Sequence, residues 1–373
     1  MRIKKVNYTS GKNIKRNVFR FLGRGSRSMD ITSVFKKNTQ DNPVDEELRM
    51  ERAEELHSES LVVDGHQGTL FDVIKGIRSF GQESPFGHSD LPRLRKGGVD
   101  CAILSGFPYD RLLPVRGVKQ GLEYIDAFHA LACMPGVKQV LKASDAEEAG
   151  KAGDVGIMLS LGGGEFLEGS IEALRMYYEL GLRMLTLTWN DRNLIGDGAG
   201  FSASRGGLTP FGFQVVSEAE RLGVIVDVSH LSEAGFWDVV DVAEMPFVAS
   251  HSNCHRLLAH PRNLTDGQLK AIGDVGGLVG ISLNHEYLTG SDEHASISEV
   301  ADHIIHALEM VGEEGVGLGT DFDSFGERGP EPVSHVGKLP LLTYELLKRG
   351  VSGKVITGIL GGNWLRIFRA VIG

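Results

Sequence analysis

Short runs of Val, Ile, Leu and Ala recur along this chain, and several end on one polar, reactive residue. SLVVDGH ends at His66, VIVDVSH at His230, PFVASH at His251 and VGLGTD at Asp321. Brief apolar runs bounded by turn residues read as buried strands. Eight are predicted, near 61–65, 99–105, 155–161, 184–189, 224–229, 246–250, 277–283 and 316–320. Between most of them lie segments with helical spacing, such as SIEALRMYYELGLR, GFQVVSEAERLG and SISEVADHIIHALEMVG. Each carries an apolar stripe that suits one face of a helix. Alternation of strand and helix implies a parallel sheet. Eight such units over about 250–300 residues predict an α/β protein of the (β/α)8 TIM-barrel type rather than a doubly wound sheet. No G-x-G-x-x-G follows the first run. Gly162, Gly163 and Gly164 lack that spacing, so a dinucleotide site is the weaker reading.

Composition narrows this picture. The chain has 373 residues, 41% hydrophobic and 24% charged, enough for one barrel with extensions. A net charge of −10 argues against wholesale nucleic-acid binding. Residues 1–44 differ from the rest, being rich in Lys and Arg with only Asp30 and Asp41 as acids. This arm reads either as a basic amphipathic segment that touches an anionic surface or as a solvated, partly disordered extension. Residues 45–373 form the expected barrel domain. No apolar run approaches the roughly 20 residues that span a bilayer. The N-terminus lacks the apolar stretch of a secretory signal. Cys101, Cys133 and Cys254 show no CxxC spacing, and Cys101 and Cys254 read as buried thiols. A reducing, cytoplasmic setting is the expectation.

In a parallel barrel, chemistry gathers where the strands end. His66, Glu165, Trp189, His230, His251 and Asp321 all fall at such ends. Imidazoles on nearby strand ends can converge on one divalent cation such as zinc. Asp321 can then accept a proton or clamp an amine. Asp64 and Asp227, just before two of the histidines, are expected to orient them or to cap strand ends. His255 and His260 read as polar loop residues. His303 and His306 sit three apart on a helix with no HExxH, and are expected on the surface.

Several segments make the reading more specific. They are DGH at 64–66, DLPRLRKGGV at 90–99, GSIEALRMYYELGLRMLTLTWN at 169–190, DVSHLS at 227–232, SHSNCHRLLAHPRNLTD at 250–266, GLGTDFDS at 317–324 and GNWLRIF at 362–368. In these motifs and their order, over roughly 60–370, the chain resembles the membrane (renal) dipeptidase family, metal-dependent peptidases of the amidohydrolase barrel type. The resemblance implies that His66 matches a histidine of one metal position and that His230 and His251 match the pair holding a second. It implies that Arg262 binds a substrate carboxylate and that Asp321 handles the substrate amine or a proton.

The departures are equally specific. The aspartate of the family's His-x-Asp falls on Gly68, and its bridging glutamate on Gly162. A histidine near the scissile carbonyl falls on Trp189, which becomes a substrate-contacting residue. Glycine offers no side-chain donor, so one zinc ion on His66, His230 and His251 is expected rather than two. Glu165 is the best replacement carboxylate; Glu168 is also near, Asp191 shares the orientation of Trp189 if the strand continues, and Asp72 is farther along the first loop. The expected function is cleavage of the amide bond of a dipeptide or similar small amide by a metal-activated water. The alternative is a catalytically silent homologue that binds or scaffolds. The resemblance also implies a homodimer.

Overall fold

The structure, a computed structural model, describes residues 43–109, 116–201, 206–290, 295–326 and 329–373. The basic arm therefore lies outside the described residues, except that a helix, Pro43–Glu59, begins at its end.

Nine strands lie among the described residues: β1 (Val63–Gln67), β2 (Cys101–Gly106), β3 (Val137–Gln139), β4 (Val155–Leu161), β5 (Leu182–Thr186), β6 (Ile225–Asp227), β7 (Val248–Ala249), β8 (Leu278–Ile281) and β9 (Val316–Leu318). All neighbours pair in parallel. β2 pairs directly with β4, from Cys101↔Gly156 to Gly106↔Leu161. β1 meets β9 at Asp64↔Leu318 and so closes the ring. The eight strands read from the sequence thus form a closed (β/α)8 barrel. β3 is an addition that pairs with the first half of β4. Its sequence, VKQ, is too short and too polar to register as a buried run.

Side-chain alternation sorts the strands into two apolar layers. Ala102, Leu104, Ile157, Leu159, Val226 and Val279 join residues of the surrounding helices in the larger core. The alternate positions Cys101, Ile103, Met158, Ile225, Val248 and Leu278 form the second core, filled by Trp364, Ile367 and Phe368 of the last helix. Trp364 reaches between β1 and β9, and its Nε1 donates to the Leu318 carbonyl at 2.8 Å. Gly65 makes room for it, because a Cβ there would lie 2.0 Å from the Trp364 ring.

Helix starts are fixed by the side chains expected of them. Ser170, Thr209, Ser232 and Thr265 each accept the amide three residues on. Cys101 and Cys254 are buried and Cys133 is exposed. His303 corrects one expectation: it is buried, not on the surface. Its Nδ1 accepts the Cys254 amide at 3.0 Å, and burial lowers its pKa to about 4. Among the described residues, no helix is long and apolar enough to cross a membrane.

Candidate metal centre

The site is built on the ends of β1, β6, β7 and β9. His66 lies in β1, and His230, His251 and Asp321 lie within three residues of the ends of β6, β7 and β9. All four are buried. His230 and Asp321 have left-handed backbones, with φ of 69° and 63°. Such strain costs about 1–3 kcal/mol per residue and persists where the surroundings enforce it.

His230 Nε2 and His251 Nε2 face one another at 2.9 Å. Their tautomers follow from what holds the other ring nitrogens. His230 Nδ1 lies 2.7 Å from Asn190 Oδ1, which can only accept, so His230 carries its proton on Nδ1. Ser250 Oγ donates its single proton to Asp227 Oδ2 at 2.7 Å. It must therefore accept from His251 Nδ1, also at 2.7 Å. Both Nε2 atoms are left with bare lone pairs directed at one another. Burial lowers both pKa values well below the ordinary histidine range, and the Arg262 charge acts in the same direction. Protonation is thus opposed, and a cation is what the arrangement suits.

His66 stacks on the His251 ring, with centroids 3.7 Å apart. Its Nδ1 is buried without a hydrogen-bond partner, and its Nε2 lies 4.0 Å from Asp321 Oδ1. Burial lowers its pKa to about 4, against the attraction of Asp227. His66, Asp227 and His251 each place one donor atom within 4.8 Å of the others. Asp227 is nevertheless fully engaged. Its Oδ1 accepts the Ser229 and Ser250 amides at 3.0 and 2.8 Å, and its Oδ2 accepts Thr186 and Ser250 hydroxyls at 2.6 and 2.7 Å. It orients His251 through Ser250 rather than offering a free oxygen. Asp64 accepts the His66 amide at 3.4 Å and leaves the ring Nδ1 without a hydrogen bond. It ties the ends of β1 and β9 together by accepting the Thr320 amide and hydroxyl.

Burial raises the Asp321 pKa to about 6, against Arg262 and the polar neighbours Ser324, Asn284 and Ser282. Arg262 donates from Nη2 to the His251 carbonyl at 3.0 Å, while its buried Nε has no partner. Trp189 stacks on His230 at 4.2 Å and faces Phe107 at 5.6 Å. Glu165 lies apart from the histidines. Its oxygens accept the Trp189 amide at 3.4 Å and Asn193 Nδ2 at 3.1 Å. Glu168 accepts the Val118 amide, and Asp72 pairs with Arg78.

Asn190 and Ser250, which set the tautomers, were not singled out from the sequence. Their only signal was adjacency, in LTWN and ASH. A cavity of about 610 Å³ opens beside His230 and Arg262, between the loops that follow β6 and β7.

The chain is similar to known proteins over most of its length. An uncharacterized dipeptidase of Schizosaccharomyces pombe is 32% identical over 351 residues, 87% of this chain and 84% of its own length. Dipeptidase aclJ of Aspergillus oryzae is 35% identical over 296 residues, 76% of this chain and 69% of its own length. A metallopeptidase structure from Rhodobacter sphaeroides, liganded with a phosphinate mimic of the dipeptide L-Ala-D-Ala, superposes with a TM-score of 0.77 at 26% identity. It covers 84% of this chain and 99% of that one. The description of peptidase family M19 fits residues 50–372, and the chain belongs to this membrane dipeptidase family.

Proposed function

We propose that this chain is a metallodipeptidase working with a single divalent ion, zinc by preference, held by His230 and His251 with His66 beside them. The observation that carries the reading is the approach of the His230 and His251 Nε2 atoms to 2.9 Å, with Asn190 and Ser250 engaging both Nδ1 atoms. A zinc ion there supplies Lewis acidity for polarising an amide carbonyl and activating water. The residues divide the remaining work. Arg262, with Nε unpaired, binds the substrate carboxylate. Asp321, raised to about 6, holds the free amine or accepts a proton near neutral pH. Trp189 covers one face of His230 and excludes water from it. The names of the relatives and the dipeptide mimic in the Rhodobacter structure support a dipeptide as substrate.

One observation favours a second reading, binding without turnover. Gly68 and Gly162 provide no carboxylate, so a two-metal clamp has no bridging ligand. Elemental analysis of the purified protein and a dipeptide panel with added Zn²⁺ or Mn²⁺ separate the two. About one ion per chain, with turnover lost in His230→Ala, supports the single-metal enzyme. Dipeptide binding without hydrolysis supports the silent binder. Two tightly held ions refute the single-metal site.

A further inference from the structure

The cavity of about 610 Å³ is lined by His230 and Arg262 at its inner end and by Phe201, Leu231 and Trp237 along its wall. That volume lies within the range of small-molecule sites. The cavity borders only part of the centre: Arg262 lines it, whereas Asp321, His66 and Trp189 do not. A substrate whose carboxylate meets Arg262 and whose amine meets Asp321 therefore has its C-terminal residue next to the cavity and its N-terminal residue away from it.

The wall is mixed: Phe201, Leu231 and Trp237 give it an apolar stretch, beside His255, His260 and Asn263. Phe201 and Trp237 are 44% and 39% exposed, unusual for rings this large. Several polar side chains of the lining are already occupied. Ser232 Oγ donates to the Gly206 carbonyl at 2.8 Å, and Thr265 and Gln268 cap one another at 2.9 Å. Glu233, exposed at the start of its helix, adds a negative charge to the lining.

Resting on the dipeptidase reading above, we propose that this cavity is a specificity pocket for a large apolar or aromatic side chain on the C-terminal residue of the substrate. Trp237 and Phe201 form its walls, and Glu233 discriminates against acidic side chains.

The test uses the full chain with added Zn²⁺ and two dipeptide series. Ala-Gly, Ala-Leu, Ala-Phe and Ala-Asp vary the C-terminal side; Gly-Ala, Leu-Ala and Phe-Ala vary the other. Both kcat/KM and binding by calorimetric titration are measured. Ala-Phe should exceed Ala-Gly by about 10–100-fold, the range expected for burying one large apolar side chain. Ala-Asp should fall at or below Ala-Gly. Trp237→Ala should lower the Ala-Phe to Ala-Gly ratio by about tenfold. Ala234→Phe, which fills the cavity without removing a packed ring, should lower it as well and serves if Trp237→Ala does not fold. Turnover or binding that is flat across the C-terminal series, or a steep dependence confined to the N-terminal series, overturns the pocket and leaves dipeptide recognition standing. Neither turnover nor binding of any dipeptide overturns the reading on which both rest.

Discussion

The facing lone pairs of His230 and His251 make metal binding a stability measurement. Metal-stripped protein leaves two buried acceptors 2.9 Å apart, and an ion between them binds only the folded state. At a hundredfold excess over its Kd, such a ligand stabilises folding by about 2.7 kcal/mol. An unfolding entropy of about 2.1 cal/mol/K per residue gives about 0.8 kcal/mol/K over 373 residues. Zn²⁺ at that excess should therefore raise Tm by about 3 °C in differential scanning fluorimetry after chelation and dialysis. Asn190→Ala frees His230 Nδ1 from its acceptor, so the ring can present a protonated Nε2. Loss of such an orienting partner weakens metal affinity about 10–100-fold. At the same Zn²⁺ concentration, the shift should shrink to about 0.5–2 °C. His251→Ala should abolish it. An equal shift in His251→Ala, or none in the stripped wild type, refutes the assignment of the pair as the metal donors.

Three further outcomes follow from neighbouring groups. In metal-free protein, His66 is neutral when folded down to about pH 4 but takes up a proton near 6.5 when unfolded. Its contribution is present above pH 6.5 and is lost as pH falls towards 4, by up to about 3 kcal/mol, which thermal melts of wild type and His66→Gln should resolve. Asp321 has the opposite sign. Its pKa is raised to about 6 when folded, so its contribution is full below about 3.8 and lost as pH rises through 6; Asp321→Asn should abolish turnover yet raise the metal-free Tm at pH 7.5 by about 3 °C, with the gain shrinking towards pH 4. Arg78→Ala should destabilise by about 3–5 kcal/mol in denaturant titration, because it strips the cation from buried Asp323. Pairing it with Asp323→Asn should recover part of the loss, and no recovery would show that the charge is not the cause.

The barrel was legible because its strands are apolar on both faces, one turned to the helices and one to the plug around Trp364. Sequence runs report that directly. β3 was not legible because three residues on one edge of β4 need no buried run. The strand-end residues were legible for the same reason as the strands: His230, His251 and Asp321 stop an apolar run. What sets their chemistry was not. Asn190 reaches His230 across 40 positions, and Ser250 links His251 to Asp227 of a different strand. His303 misled because a polar residue on a helix is usually outward, whereas here it receives a loop amide that lacks another acceptor.

The glycines show why the departures from the family pattern are built into the fold rather than being simple omissions. At Gly68, a Cβ would lie 2.6 Å from Ser324 Oγ and 2.9 Å from the Asp323 carbonyl. The segment after β9 therefore occupies the space a carboxylate would need, and the Gly68 amide donates to the Phe322 carbonyl at 2.8 Å. That segment is anchored in turn. Asp323 accepts from Thr69 Oγ1 at 2.7 Å and from the His88 amide, and it pairs with Arg78. Despite burial, His88 and Arg78 hold its pKa at about 2. At Gly162, a Cβ would meet the Gly106 carbonyl and Ser105 Oγ at 3.0 Å, tight but less severe. Gly68→Asp should therefore cost about 1–3 kcal/mol of stability by overpacking and add no second metal, because the Asp323 main chain must move first. Adding Ser324→Gly removes the hydroxyl but not the carbonyl, so the double variant should recover only part of that loss. If elemental analysis of Gly68→Asp gave two ions per chain at undiminished Tm, the loop after β9 would have to be far more yielding than its anchoring by Arg78, His88 and Thr69 implies.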